Sequence, residues 1–264
     1  MQARPQLSVV VPAYNEEPRI RHTLERLAAF LESAPGVPRP AEVVVVDDGS
    51  TDGTAGVVDR FAAGRREVGV SFRLLRNGKN RGKGYSIKHG VLLAAGEVLL
   101  LTDADLSTPI EESPRLLGLI ASAGYGIAIG SRGLRESRVE KHQPAWREIM
   151  GRCFNRLVKM ITGLPFCDTQ CGFKAMRRET VLPLFRAARV CGFAYDVEIL
   201  YLARKAGIPV IEEPVVWRDS RGSKVNPISD SLDMLKDVLR VKLRDRRGGY
   251  GSLGRPAATR SGLR

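Results

Sequence analysis

Aromatic residues make up only 6% of this 264-residue chain, histidines number three, and the four cysteines contain no Cys-x-x-Cys pair. Each scarcity excludes something. Few aromatics, with no helix-turn-helix, RNA-recognition or zinc-finger spacing, argue against a nucleic-acid-binding module. Cys167 and Cys171 lie four apart, but His22, His89 and His142 are remote from them, which excludes a zinc centre of ordinary spacing. Cys153, Cys167, Cys171 and Cys191 therefore read as buried free thiols of a reducing compartment. No apolar run approaches the ~18 residues needed to cross a bilayer. The opening Met-Gln-Ala-Arg-Pro-Gln lacks the apolar core of a signal peptide. A soluble or peripheral protein is expected, on the cytoplasmic side of a membrane. Acids are also in deficit, 29 against 42 Lys and Arg, for a net charge of +13. That excess favours anionic partners: phosphorylated small molecules, anionic lipid surfaces or nucleic acid.

Hydrophobic residues, at 43%, suffice for a packed core. Apolar runs at 7–11, 42–46, 71–75 and 98–101 read as strands, with helical spacing at 16–31, 54–63 and 84–95 between them. This β-α-β-α-β-α-β alternation demands an α/β fold whose sheet is mostly parallel and covered by helices. Further on, helices are expected at 111–122, 145–162, 179–187 and 195–206, with strands at 126–129 and 208–216. A polar segment, 131–144, has the length of a mobile lid. Residues 228–243 place Ile228, Leu232, Leu235, Leu239 and Leu243 on one helical stripe, which either packs on the sheet or rests on lipid. One domain over 1–243 is expected, followed by a basic, disordered tail at 244–264. From Val241 onward there are seven basic residues and one acid.

The chemistry gathers at strand ends. Leu99–Leu101 runs into Thr102-Asp103-Ala104-Asp105, two carboxylates flanking a side chain too small to block what they hold. Ligands of open α/β sheets bind beyond the carboxyl ends of the strands. Paired acids there suit a hard divalent cation, Mg2+ or Mn2+. The first strand ends in Pro12-Ala13-Tyr14-Asn15-Glu16 and the second in Asp47-Asp48. Tyr14 offers a nucleotide an aromatic edge, and Glu16 and Asp48 offer acceptors. Asp48-x-Ser50-x-Asp52-Gly53 partly imitates a calcium loop, but a strand precedes it where a helix should, so a helix cap from Ser50, Thr51 or Asp52 is the better reading. Gly78–Gly84 resembles a phosphate cradle one residue short of a Walker A, and its Lys79, Arg81 and Lys83 either reach a phosphate or stay solvated. Asp168 and Asp196 are candidate site carboxylates, with an N-cap as the rival role for Asp196. Arg218 and Lys224 bracket a polar loop able to clamp phosphates.

Taken together, these motifs resemble family 2 glycosyltransferases, in the branch that makes polyprenyl-phosphate sugars and within it the dolichyl-phosphate glucosyltransferases. The matching residues are 11–17 (Val-Pro-Ala-Tyr-Asn-Glu-Glu), 46–54 (Val-Asp-Asp-Gly-Ser-Thr-Asp-Gly-Thr), 80–84 (Asn-Arg-Gly-Lys-Gly) and 103–109 (Asp-Ala-Asp-Leu-Ser-Thr-Pro). They continue through 130–132 (Gly-Ser-Arg), 168–174 (Asp-Thr-Gln-Cys-Gly-Phe-Lys), 195–200 (Tyr-Asp-Val-Glu-Ile-Leu) and 222–224 (Gly-Ser-Lys). The resemblance implies a GT-A fold and an inverting transfer of a hexose, glucose above others, from a UDP-sugar to a polyprenyl phosphate. By the same resemblance Pro12, Tyr14, Glu16, Val46, Asp48, Lys83 and Ala104 hold the donor nucleotide-sugar. Asp103 and Asp105 handle the metal and diphosphate, and Arg132, Arg218 and Lys224 contact phosphates. Asp196 and Asp168 are the catalytic candidates, either as a base or as positioning groups. Mannosyl-transferring relatives often carry Gln where this chain has Ser107, which counts against a mannose donor. Eukaryotic glucosyl relatives typically carry an N-terminal membrane helix that this sequence lacks, which leaves the mode of membrane attachment open, with the basic C-terminal region as one candidate. The alternatives are transfer of another sugar, a soluble transferase acting on a saccharide hydroxyl, a metal-free nucleotide-sugar sensor, and a basic nucleic-acid binder.

Overall fold

A computed structural model of the chain describes residues 4–65, 69–141, 145–218, 229–251 and 253. The apolar runs become β1 (Leu7–Ala13), β2 (Ala41–Asp47), β3 (Val70–Arg76) and β4 (Val98–Leu101), separated by α1 (Glu17–Ser33), α2 (Thr54–Gly64) and α3 (Lys83–Leu93). After β4 a 3-10 turn at Ile110–Glu112 leads into α4 (Ser113–Ser122), then β5 (Ile127–Ser131), β6 (Arg138–Lys141) and α5 (Ala145–Thr162). The remainder is β7 (Lys174–Arg177), α6 (Arg178–Ala187), α7 (Tyr195–Lys205), β8 (Val210–Pro214), β9 (Val216–Arg218) and α8 (Ser229–Arg246).

Seven strands form the main sheet in the order β3-β2-β1-β4-β7-β5-β8. All neighbours are parallel except β7, which runs antiparallel to both β4 and β5. β1 and β2 are buried on both faces, as central parallel strands covered by helices must be. One core packs α3, α6, α7 and α8 on one face through Val10, Ile87, Leu99, Leu184, Leu200 and Val238. The other packs α1 and α4 through Val9, Leu24, Leu100 and Leu117.

Four expectations need correcting. β7, a strand not expected from the sequence, begins at the last residue of the 168–174 motif, where Lys174 and Arg177 mask its apolar pattern while Ala175 and Met176 are buried in the sheet. The single strand expected at 208–216 is two: β8 closes the main sheet, and β9 pairs with β6 in a separate ribbon built from part of the presumed lid. The boundary after residue 243 falls inside α8, and beyond it Tyr250 is buried, so at least this stretch is part of the domain. Residues 254–264 lie outside the described residues. Of the four free thiols only Cys171 is buried.

Candidate functional site

β1, β2 and β4 end side by side, and their carboxyl ends open onto a cleft of about 430 Å³. From β1 come Pro12, Tyr14 and Glu16; from β2, Asp48; from β4, Asp103, Ala104 and Asp105; and from the first turn of α3, Lys83. Eight of the residues expected to hold a donor thus share one surface. Sequence reasoning missed further lining from Arg19, Asn80 and Ser86, from the loop at Gly192 and Phe193, and from Asp230 at the start of α8. Glu16 pairs with Arg19 at 2.5 Å, a contact visible in the sequence as an i,i+3 spacing at a helix start.

The loops are stitched to one another. Asn15, at φ 52, donates its N–H to Ser50 Oγ (2.8 Å) and accepts Thr51 N–H on its side-chain oxygen (2.8 Å). Asp52 accepts the Thr54 N–H at 3.0 Å, while Asp59, the twelfth place of the imitated calcium loop, pairs with Arg76 instead. The capping position of α2 is Gly53, with no side-chain cap bond, so the cap expected from Ser50, Thr51 or Asp52 is not formed: Asp52 stands one residue earlier and holds the N–H of Thr54, and the calcium-loop spacing is broken by the Asp59–Arg76 pair. Asp48 is buried and accepts from Asn77 Nδ2 (2.7 Å), Arg81 N (3.0 Å) and Gly82 N (2.8 Å). Its carboxylate therefore shapes the basic loop and the entry to α3, so that Lys83 points at the acids of β4.

Those acids sit in a tight turn. Leu106 N–H bonds Asp103 O at 3.1 Å, and Leu106 takes a φ of 48. Such strain in a non-glycine residue persists only when surroundings over-determine it, and Leu106 is buried in the core beneath α1 and α4. Lys83 Nζ lies 2.6 Å from Asp103 Oδ1. Burial works against charge on both groups. The ion pair prevails, so the Asp103 carboxyl is held below the usual range with help from Lys174 and Arg132, and Lys83 is raised by Asp103, Asp196 and Asp105. Asp105 accepts Ser107 N–H at 3.0 Å. A Cβ on Gly172 would stand 2.5 Å from Asp103 Oδ2, so the absent side chain leaves that carboxylate its room. Two carboxylates fall short of a self-sufficient cation cage, and no group of three or more acidic, His or Cys ligands occurs among the described residues. The donor set does suit Mg2+ or Mn2+ completed by diphosphate oxygens and water, the usual arrangement for such ions.

Asp196 does not cap α7. The capping position is Ala194, and the buried Asp196 side chain accepts from Lys174 Nζ at 2.5 Å. Lys174 is 1% exposed and also donates to Cys171 O. Burial raises the Asp196 carboxyl, Asp103 adds to that, and Lys174 and Lys83 oppose it. The result is a series of alternating charge that leads from the buried Lys174–Asp196 pair to Lys83 and Asp103 on the cleft. Lys174 is the functional candidate that sequence reasoning passed over, although it stands in a quoted motif.

Asp168 is occupied as well. Arg132 grips it with two guanidinium bonds, Nε to Oδ2 at 2.6 Å and Nη2 to Oδ1 at 3.0 Å, and adds its backbone N–H at 3.1 Å. Glu212 braces the same turn by accepting the Cys167 and Asp168 N–H groups at 2.8 and 2.9 Å. Burial would lift the Asp168 carboxyl, but the Arg132 guanidinium brings it down to about 2 from 3.8. Both oxygens of this carboxylate are thus committed to Arg132. Because the folded pKa is depressed, its stabilisation is complete above about pH 4 and is lost as pH falls toward about 2. Asp168→Asn is expected to cost about 2 kcal/mol at neutral pH. Urea melts at several pH values should show the gap between parent and variant closing as pH drops through that window.

Among the described residues three other expected donor contacts, Arg132, Val46 and Arg218, do not line the cleft; the Arg132 guanidinium is held on Asp168. The Val46 side chain is buried in the core with Val10, because alternation along β2 puts it on the sheet face covered by Gly90 of α3. Arg218 pairs with Glu140 at 2.5 Å on the β6-β9 ribbon, although its N–H bonds Ser107 O at 2.8 Å and so ties that ribbon to the acidic turn. Lys224 lies outside the described residues.

Residues 8–184 match the family model described as Glycosyl transferase family 2. The dolichyl-phosphate β-glucosyltransferase of Dictyostelium discoideum is 37% identical over 244 residues, 90% of this chain and 74% of that one. The human protein of that name is 36% identical over 253 residues, 93% of this chain and 77% of that one. Glucosyl-3-phosphoglycerate synthase of Mycobacterium tuberculosis, crystallised with UDP, superposes with a TM-score of 0.64 at 18% identity, covering 90% of this chain and 80% of that one. Its complex with Mn2+, UDP-glucose and phosphoglyceric acid gives 0.61 at 17% identity, with coverage of 90% and 80%. These structures establish the architecture. The chain belongs to glycosyl transferase family 2, a glycosyltransferase with the GT-A fold.

Proposed function

We propose that the protein transfers glucose from UDP-glucose to a polyprenyl phosphate of the dolichyl type, with inversion, at the cleft formed by β1, β2 and β4. One observation carries this reading: Lys83, Asp103 and Asp105 meet Pro12, Tyr14 and Glu16 on a single surface. A nucleoside at the Pro12–Glu16 end would place its diphosphate beside the two acids. There Asp103 and Asp105 would hold Mg2+ or Mn2+, whose chemistry is to neutralise diphosphate charge. Lys83, held ready by Asp103, and Arg132, oriented by Asp168, would add positive charge near the departing UDP.

An acceptor phosphate oxygen attacks the anomeric carbon, the bond from that carbon to the UDP oxygen breaks, and UDP leaves. A phosphate monoester, with a second pKa near ~6, is already anionic at neutral pH. The reaction therefore asks for no strong base, which agrees with Asp168 bound to Arg132 and Asp196 bound to Lys174. Among the described residues no helix is long and apolar enough to cross a membrane. The proposed reach to a lipid acceptor is by α8, which packs inward through Val238 and Val241 and leaves Leu232, Leu239 and Leu243 exposed beside Arg246 and Arg247. Ile228, the first member of that stripe, lies outside the described residues. Near an anionic surface each such Arg contributes about 1 kcal/mol.

The test offers radiolabelled UDP-glucose, UDP-galactose and GDP-mannose with polyprenyl phosphate in anionic liposomes, plus Mg2+, and follows label into the organic phase. Glucose label alone is expected there. Mannose label would overturn the donor assignment, and transfer only to water-soluble saccharides would overturn the lipid acceptor.

A further inference from the structure

We propose that Tyr250 and Glu198 form a latch that positions Lys83 and the Gly192–Phe193 wall of the donor cleft, an inference that rests on the nucleotide reading of that cleft. Glu198 is fully buried in α7, where an unshared carboxylate would be costly. Three hydrogen-bond donors satisfy it, from the loop just ahead of α7 and from beyond α8, and the Arg244 guanidinium stands 3.9 Å from Oε1. Arg189 N–H reaches its two oxygens at 3.0 and 2.9 Å, and Val190 N–H reaches Oε2 at 2.7 Å. The third donor is Tyr250 O–H, at 2.5 Å from Oε1.

Tyr250 comes back to α7 because α8 ends in a tight reversal. Gly248 takes a φ of 72, and Gly249 N–H bonds Arg244 O at 2.9 Å. Burial and the Glu198 carboxylate both push the Tyr250 hydroxyl well above its usual pKa, so it stays a donor across the working pH range.

What Glu198 orders next is the cleft wall. Directly after the two amides it binds, Cys191 O accepts Tyr85 N–H at 3.1 Å. Gly82 lies so close that a Cβ there would stand 2.4 Å from that same carbonyl, and its φ of 95 is one that only glycine adopts readily. Lys83 sits between these two anchored residues, and Gly192 and Phe193 continue into the cleft. The other end of α8 supplies Asp230 to the same cleft. The helix thus spans from the mouth of the site to the latch behind its wall. Neither Tyr250 nor Glu198 lines the cleft, so both are positioning residues.

The experiment titrates UDP, with Mg2+ present, into the full chain and its Tyr250→Phe and Glu198→Gln variants, with melting temperatures measured alongside. Tyr201→Phe is the control. It removes a bond of the same kind between α7 and α8, Tyr201 O–H to Asp245 at 2.5 Å, that does not lead to the 189–193 loop. Tyr250→Phe and Glu198→Gln are each expected to weaken UDP binding about fivefold or more. The double variant should be little worse than either, as expected of groups acting as one unit. Tyr201→Phe should lower the melting temperature and leave UDP affinity unchanged. Failure of the parent chain to bind UDP would overturn the nucleotide reading itself. Binding by the parent with unchanged affinity in Tyr250→Phe, or an equal loss in Tyr201→Phe, would overturn the latch.

Discussion

Asp105→Asn is expected to lower kcat/KM for sugar transfer by a hundredfold or more, about 3 kcal/mol of transition-state stabilisation, while the protein melts within a degree or two of the parent. The separation follows from the contacts of this side chain. Asp105 accepts one local N–H, from Ser107 at 3.0 Å, and an asparagine carbonyl in the same rotamer keeps that bond. What disappears is a charge facing the cleft. Asp103 behaves differently, because its carboxylate neutralises Lys83 at 2.6 Å. Asp103→Asn leaves that ammonium without its partner, so activity and melting temperature should fall together. The measurement is label transferred to the organic phase at saturating acceptor, with calorimetric melts of the same preparations. Turnover of Asp105→Asn within fivefold of the parent would place the diphosphate elsewhere and remove the basis for a cation at this turn.

How much of this was legible beforehand depended on whether a signal was local. The runs at Val9–Val11, Val43–Val46 and Leu99–Leu101 announce buried parallel strands, because burial on both faces demands continuous apolar sequence. The acids follow at their carboxyl ends, where sheet geometry places ligands, so the cleft's two sides were readable. β7 was not. Its Lys-Ala-Met-Arg sequence has charged ends, and the reason Lys174 is tolerated inside is Asp196, 22 residues later in sequence and 2.5 Å away in space. The same holds for the bond between Arg132 and Asp168, which sequence reasoning treated as a phosphate ligand and a catalytic candidate in isolation. Periodicity found α8 and left its leucine stripe open between core and lipid; in the fold the stripe is partly exposed, and the inward face is carried by Val238 and Val241. Tyr250 follows a Gly-rich turn that composition alone marks as tail, and its role depends on Glu198 lying opposite it in the folded chain.

The buried pair beneath the cleft makes the largest expected change in stability. Lys174→Met removes the cation and leaves the Asp196 carboxylate buried with its 2.5 Å partner gone. Breaking such a pair on one side costs about 3–5 kcal/mol, a melting-temperature drop of roughly 10 °C for a chain of this size. The pH dependence has a definite sign. Burial already raises the Asp196 carboxyl in the parent, and loss of Lys174 raises it further. A folded pKa above the unfolded one gives stability that is present below about pH 4 and lost as pH rises through the folded value. Lys174→Met should therefore be least defective in acid and increasingly defective toward neutrality, read by urea melts across that range. Adding Asp196→Leu to Lys174→Met removes the stranded charge and should recover most of the lost stability, since a buried ion pair is often replaceable by apolar groups. Catalysis gives the complementary reading. Asp196→Asn should keep the rate within about tenfold if the carboxylate positions Lys174, whereas a loss of ~10²–10⁴ marks a proton acceptor and a hydroxyl in place of a phosphate as the attacking group.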